Sequence, residues 1–114
     1  MNREIKFRAW YRGCMQYNVY ISADYVFEQL PDRDGGWHGF YADVDDVELM
    51  QFTGLYDKKG NEIYEGDIVV DHAGRGIVKF NDGYAGFRVN YKDGDYTLNG
   101  ESIVIVGNMF EHQL

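Results

Sequence analysis

Apolar and polar positions alternate from the start of the chain. In residues 4–11, Ile5, Phe7, Ala9 and Tyr11 fall on one face, and Lys6, Arg8, Trp10 and then Arg12 fall on the other. A period of two predicts a strand, ended by Arg12-Gly13. Val19 and Ile21 continue an apolar face, with Tyr17 beside it. From Ser22, the run Ala23 to Leu30 fits either a continued strand or one or two helical turns capped by Ser22. Pro31-Asp32-Arg33-Asp34-Gly35-Gly36 predicts a loop. Asp43-Val44-Asp45-Asp46 predicts a turn or a short capped helical turn. Residues 48–52 predict a strand that Thr53-Gly54 ends. Asp57 to Asn61 forms a tight turn with Gly60 free to take positive φ, and Glu62-Ile63-Tyr64 returns from it.

The second half reads as short strands joined by tight turns. Asp67 to Val70 follows the Gly66 bend, Gly74-Arg75-Gly76 turns the chain, and Ile77 to Phe80 comes next. Asn81-Asp82-Gly83 is a hairpin signal. Phe87, Val89 and Tyr91 then point inward, with Arg88, Asn90 and Lys92 outward. Asp93-Gly94 makes a second hairpin into residues 96–98, Asn99-Gly100 turns again, and residues 102–106 form an apolar strand. Five short strands of this kind suit a small closed barrel, which leaves no exposed edges. The expectation is a mainly β chain with minor α, folded as one domain over 1–114. Within it lie an N-terminal strand-rich lobe (1–64, with a loop near 31–46), an SH3-like β-barrel (65–108) and a tail (109–114).

Composition supports this picture. The 114 residues include 10 Tyr, 7 Phe, 2 Trp and 14 Gly but one Pro, a set that suits half-buried strands and glycine turns. One cysteine, Cys14, excludes an intrachain disulfide and fits a reducing compartment. No apolar run approaches the roughly 20 residues of a membrane span. Arg3, Glu4, Lys6 and Arg8 break up any leader after Met1. The net charge of −8 is unevenly spread: residues 1–12 are basic, and residues 13–48 carry eight acidic side chains against Arg33 alone.

Three blocks carry a family likeness. Arg3-Glu4-Ile5-Lys6-Phe7-Arg8-Ala9-Trp10 resembles the opening of YopX-type phage and prophage proteins. Residues 49–69, Leu-Met-Gln-Phe-Thr-Gly-Leu-Tyr-Asp-Lys-Lys-Gly-Asn-Glu-Ile-Tyr-Glu-Gly-Asp-Ile-Val, resemble that family's most distinctive block. Val106-Gly107-Asn108-Met109-Phe110-Glu111 is similar to its usual tail. Tyr11 stands where an acidic residue is common, and His112-Gln113 where Asn-Pro is common. The resemblance implies a small β-rich protein of a temperate bacteriophage, made in the bacterial cytoplasm. It implies no enzyme, since the family has no assigned catalytic residues, and it is compatible with homo-oligomers.

Sites of chemistry are sparse. His38, His72, His112 and Cys14 are far apart in sequence, so no metal motif stands out. Asp32-Arg33-Asp34-Gly35 lacks the third ligand and the glycine placement of a calcium loop. Glu62, Glu65, Asp67 and Asp71 lie near turns, and Asp67, after Gly66, reads as an acceptor of backbone hydrogen bonds at the bend. Neither Ser22 nor Ser102 sits in a nucleophile elbow. No helix pattern follows Gly74-Arg75-Gly76 to make a phosphate loop. The aromatic surplus reads mainly as core or interface packing. No cofactor is expected.

The informative surface is the strand face Lys6, Arg8, Trp10 and Arg12, set against the acidic run Asp43, Asp45, Asp46 and Glu48. These eight residues are the expected partner-binding set, with Trp10 as buried anchor and Arg8 as its polar partner. The expectation is a non-catalytic protein–protein interaction or assembly module that docks on itself or on a phage or host protein. One alternative is nucleic-acid binding through the basic strand, which the net charge opposes. Another is an acidic DNA mimic that occupies a host protein's basic groove.

Overall fold

The computed structural model describes residues 4–27, 30–31, 37–38 and 41–111. The strands are β1 (Phe7–Tyr11), β2 (Cys14–Ser22), β3 (Tyr25–Phe27), β4 (Leu30–Pro31), β5 (Trp37–His38), β6 (Tyr41–Asp43) and β7 (Glu48–Tyr56). They continue with β8 (Glu62–Tyr64), β9 (Asp67–Asp71), β10 (Gly74–Asn81), β11 (Gly86–Tyr91), β12 (Gly94–Thr97) and β13 (Val104–Asn108). Two 3-10 turns, Val44–Asp46 and Gly100–Ser102, complete the described elements. The protein is therefore mainly β, and all strand pairs among the described residues are antiparallel.

Two compact units part between Gln51 and Phe52, inside β7. In the first, residues 5–51, the strand order is β6-β3-β2-β1-β7. The β1–β2 turn has φ of 49° at Arg12 and 82° at Gly13, the left-handed pair that matches strand twist in a two-residue hairpin. Past Ser22 the chain forms a second hairpin, with Ser22 opposite Tyr25, and not helical turns. Strand β2 is bulged: Phe7 pairs with Val19 and Arg8 with Tyr17, which leaves Asn18 extra at φ 56°. The bulge places Tyr17 and Val19 on opposite faces, although they are two residues apart. One face gathers Ala9, Val19 and Val26 into a buried cluster with Phe7 and Leu49. Val44 and Val47, at and after the first 3-10 turn, pack on this cluster too. Of the predicted loop over 31–36, Pro31 instead stands in a short strand, Leu30–Pro31 pairing with Trp37–His38, and residues 32–36 lie outside the described residues.

The second unit takes Phe52–Leu114 together with Met1–Glu4. The predicted end of a strand at Thr53-Gly54 is a bulge instead: β7 runs on to Tyr56, with Gly54 at φ 87° and a register shift between Phe52 and Tyr56. Thr53 stabilises the irregularity, donating its hydroxyl to the Ile63 carbonyl at 2.8 Å and accepting the Leu55 N–H at 3.2 Å. Ile63 of β8 lies in the unit's core, so the compact unit begins before the residue 65 expected for the barrel.

The five-stranded sheet has the order β12-β11-β10-β9-β13. Its core is Ile63, Val69, Val78, Val89, Leu98 and Ile103, with Phe87, Tyr91 and Ile105 against it. Among the described residues no ladder joins β12 to β13, so the pairing is an open sheet. Gly74-Arg75-Gly76 is not a turn. The bend falls earlier, at His72-Ala73, where the Asp71 Oδ1 accepts the Ala73 N–H at 2.7 Å. Gly76 is a strand residue, and a Cβ there would lie 2.6 Å from Val89 Cγ1.

Candidate functional site

All eight sequence-predicted contact residues fall in the first unit. The structure does not gather them into one patch. Arg8 is only 3% exposed. Its guanidinium lies 5.8 Å from the Tyr17 ring centre, and Nη1 reaches the Tyr17 hydroxyl at 3.4 Å. Arg8 is therefore a buried structural cation and not a surface grip for phosphates. The reason is the Asn18 bulge, which brings Tyr17 opposite Arg8. Replacing Arg8 with Ala should lower unfolding free energy by about 2 kcal/mol in urea melts, the usual cost of stripping a buried charged donor from its partners.

Arg12 sits in the turn, exposed, with its guanidinium 4.9 Å from the Tyr11 ring. Tyr11 lies on the face opposite Trp10, so Arg12 and Trp10 do not share a grip. Trp10 is half-buried between Met15 of β2 and Glu48 of β7 in register. Asp43 caps the first 3-10 turn, its Oδ1 accepting the Asp45 N–H at 2.9 Å. Asp45 and Asp46 are exposed.

Sequence reasoning found the face opposite the Ala9–Val19–Val26 cluster on β1, at Arg8 and Trp10, but missed its aromatic continuation on β2, β3 and β6. In register, Tyr20 pairs with Phe27 and Phe27 with Tyr41, while Ser22 pairs with Tyr25 and Tyr25 with Asp43. Directly opposed residues point the same way, so these side chains share one face with Tyr17. Tyr20 and Phe27 stack at 6.0 Å and 28°, and Tyr25 and Tyr41 at 5.1 Å and 21°. The rings are open to solvent: Tyr20 is 53% and Tyr41 64% exposed, and Tyr17 and Tyr25 are exposed as well. The signal was the spacing of Tyr20, Tyr25 and Phe27 about a Ser22–Tyr25 turn, legible once that segment is read as a hairpin.

In the second unit two carboxylates of the distinctive 49–69 block, Asp57 and Asp67, serve the backbone. Asp57, 5% exposed, accepts N–H groups of Lys59 (2.9 Å), Asn61 (2.8 Å) and Ile105 (3.0 Å), and the Asn61 side chain at 3.4 Å. Burial pushes its carboxyl up, but the donors of Ile105, Asn61 and Lys59 outweigh it and hold the group below its ordinary value. Asp67 accepts the Tyr64 N–H at 2.7 Å across the Gly66 bend, the backbone role expected of it. Gly66 itself has φ 91°, donates to the Val78 carbonyl and accepts from Met109. Asn108, in the tail block, accepts N–H groups of Phe110 and Glu111 at 3.0 Å.

The other carboxylates named from sequence are dispersed. The Tyr91 hydroxyl donates to Asp71 at 2.6 Å; this bond is the main influence holding Asp71 low. Burial, then Asp71 itself, pushes Tyr91 up to about 12. Glu62 accepts the Tyr64 hydroxyl at 3.3 Å. Cys14 and His72 are exposed. His112 lies outside the described residues. Among the described residues no three His, Cys, Asp or Glu side chains converge as metal ligands. An open groove of about 600 Å³ runs between Gly54–Asp57 and Thr97–Glu101. Its carboxylates are Asp57, already engaged by four donors, and exposed Glu101.

Strand order and site together define an all-β protein of antiparallel sheets, with no helix among the described residues long and apolar enough to cross a membrane. The sequence matches the YopX protein family over residues 6–113, nearly its whole length, and the chain belongs to that family. Its structure is similar to the crystal structure of protein EF1440 from Enterococcus faecalis, at 25% identity and a TM-score of 0.68, covering 96% of each chain. No curated protein matches the sequence.

Proposed function

We propose that this chain is a non-catalytic protein–protein interaction module of a temperate phage, working in the bacterial cytoplasm on a phage or host protein or on a second copy of itself. The observation that carries the reading is the ring face of Tyr20, Tyr25 and Tyr41, all exposed, with half-buried Phe27 among them. Contiguous exposed aromatic surface on a folded domain marks a place where something docks. Trp10 and Glu48 adjoin this face through β1 and β7, and Asp43 stands on it opposite Tyr25. These three keep the contact role assigned from sequence, while Arg8 acts from beneath, through Tyr17. The burial of Arg8 weighs against nucleic-acid binding by the basic strand. The use of Asp43 as a cap weighs against a row of acids that imitates DNA.

The order β12-β11-β10-β9-β13, with a 3-10 turn ahead of the last strand, supports an SH3-like reading of residues 65–108. On this reading that part is scaffold, and the docking surface is the sheet of residues 5–51.

Size-exclusion chromatography with light scattering, alone and with candidate phage and host proteins, tests the proposal. The expected result is a complex that Tyr20→Ser combined with Tyr41→Ser removes without altering the melting curve. A clean monomer at every concentration and salt, with no partner co-eluting, overturns it.

A further inference from the structure

The ring face has a charge signature that selects among partners. Residues 5–51 carry eight acidic side chains and four basic ones. Of the basic ones, Arg8 is buried and Arg12 lies over Tyr11. Acidic groups border the rings directly. Asp24 precedes Tyr25 in the β2–β3 turn, and Asp43 stands opposite Tyr25 on the same face. Asp45 and Asp46 follow, exposed. Among the described residues no cation is paired with Asp24, Asp45 or Asp46. An electron-rich ring surface bordered by carboxylates attracts cations twice, through the ring quadrupoles and through the acids. The same surface repels phosphate. Arg8 over Tyr17 shows the geometry within the chain itself: a guanidinium on a ring, with the phenol oxygen accepting from it.

We propose that the face formed by Tyr20, Tyr25, Phe27 and Tyr41, bordered by Asp24 and Asp43, binds a Lys/Arg-rich extended segment of another polypeptide. The inference rests on the interaction-module reading and narrows it to a cationic partner. Solvent-open ring faces let a guanidinium lie flat on them and let an ammonium rest above them. Exposed hydroxyls at the ring tips and the nearby carboxylates take the remaining donors. An arginine-rich segment should bind more tightly than a lysine-rich one, because the planar guanidinium stacks on rings.

The test uses the whole chain and three fluorescent probes: an alternating Arg-Ser decapeptide, its Glu-Ser counterpart and a thymidine 20-mer. Fluorescence anisotropy at low salt should show saturable binding of the Arg-Ser peptide and none of the other two. Tyr25→Ser combined with Tyr41→Ser should weaken that binding about tenfold, as expected for the loss of two exposed cation–π contacts. Asp24→Asn should weaken it less, by about threefold, and only at low salt. In the unaltered protein, NMR ring signals of Tyr20, Tyr25 and Tyr41 should shift during the titration, while those of exposed Tyr84 and Tyr96 stay still. Equal shifts at all five tyrosines, or binding indifferent to the tyrosine substitutions, would mean that net charge alone attracts the peptide, and would overturn the inference. Tighter binding of the oligonucleotide or the acidic peptide overturns it too. If the Arg-Ser peptide fails to bind while light scattering still detects a complex, the cationic partner falls and the interaction-module reading stands.

Discussion

Replacing Asp57 with Ala should cost about 3–5 kcal/mol of stability, a large share of what a domain of this size possesses. The side chain is small, and most of the loss comes from its donors. Three backbone N–H groups, of Lys59, Asn61 and Ile105, lose their acceptor at once. Ile105 lies 48 positions along the chain, so the change also loosens the turn from β13. Urea denaturation at pH 7 reads the total, and hydrogen exchange at the Ile105 amide reads the local part. Asp57→Asn retains the shape with poorer acceptance, and it exposes the pH dependence. The folded carboxyl is held below its ordinary value of 3.8, so its stabilising effect is complete above that value. The effect fades as pH falls through the lower folded value. The stability gap between the unaltered protein and Asp57→Asn should therefore be widest near neutral pH and close in strong acid. A gap that widens in acid would contradict the geometry described for this turn.

Gly100→Val should cost about 3 kcal/mol or more. Gly100 is buried at the start of the second 3-10 turn, and a Cβ there would collide with the Tyr56 carbonyl and meet Ile63 Cδ1 at 3.4 Å. The obstacle is backbone, which cannot rotate aside as a side chain would. Thermal melts should show a drop of more than 10 °C, the shift that about 3 kcal/mol produces in a domain near 100 residues. Gly86→Ala is the matched control. It too lies in the second unit, but its nearest neighbour to a new Cβ, the Tyr84 carbonyl, is 3.8 Å away, and its melting point should barely move.

Alternation and turn chemistry made most strands legible. Phe7–Tyr11 and Gly86–Tyr91 declare themselves by period-two patterning and Glu62–Tyr64 by its return from the 57–61 turn, and the inward set Phe87, Val89 and Tyr91 is the packed one. The run Asp43 to Asp46, read as a turn or a short capped helical turn, is a 3-10 turn capped by Asp43. What stayed hidden depends on contacts distant in sequence. Gly54 resembles a terminator until Thr53 is seen bonded to Ile63 ten residues later. Gly76 resembles a turn until Val89 is seen pressed on it. Arg8 resembles a surface cation because alternation gives a face but not what covers it. Asn18 carries no bulge signal of its own, yet it decides that Tyr17 meets Arg8 and so changes the meaning of the basic strand. The ring face was hidden for a related reason. Tyrosine count alone points to packing, and only the register of β2, β3 and β6 places the rings in pairs on solvent.

The loop at Asp57 has a consequence beyond holding one turn. It occupies β13 from outside: Ile105 donates to the Asp57 carboxylate, and the Ile103 carbonyl just ahead of the strand accepts from Lys58 at 2.9 Å. Those are groups that an incoming chain would need for lateral addition to that margin, so the Asp57 loop guards the start of β13 in the five-stranded sheet. Protonating Asp57 weakens its hold on the Ile105 amide, while the Lys58–Ile103 backbone bond stays in place. Strong acid should therefore loosen that margin at Ile105 first, read as faster hydrogen exchange there than at Lys58.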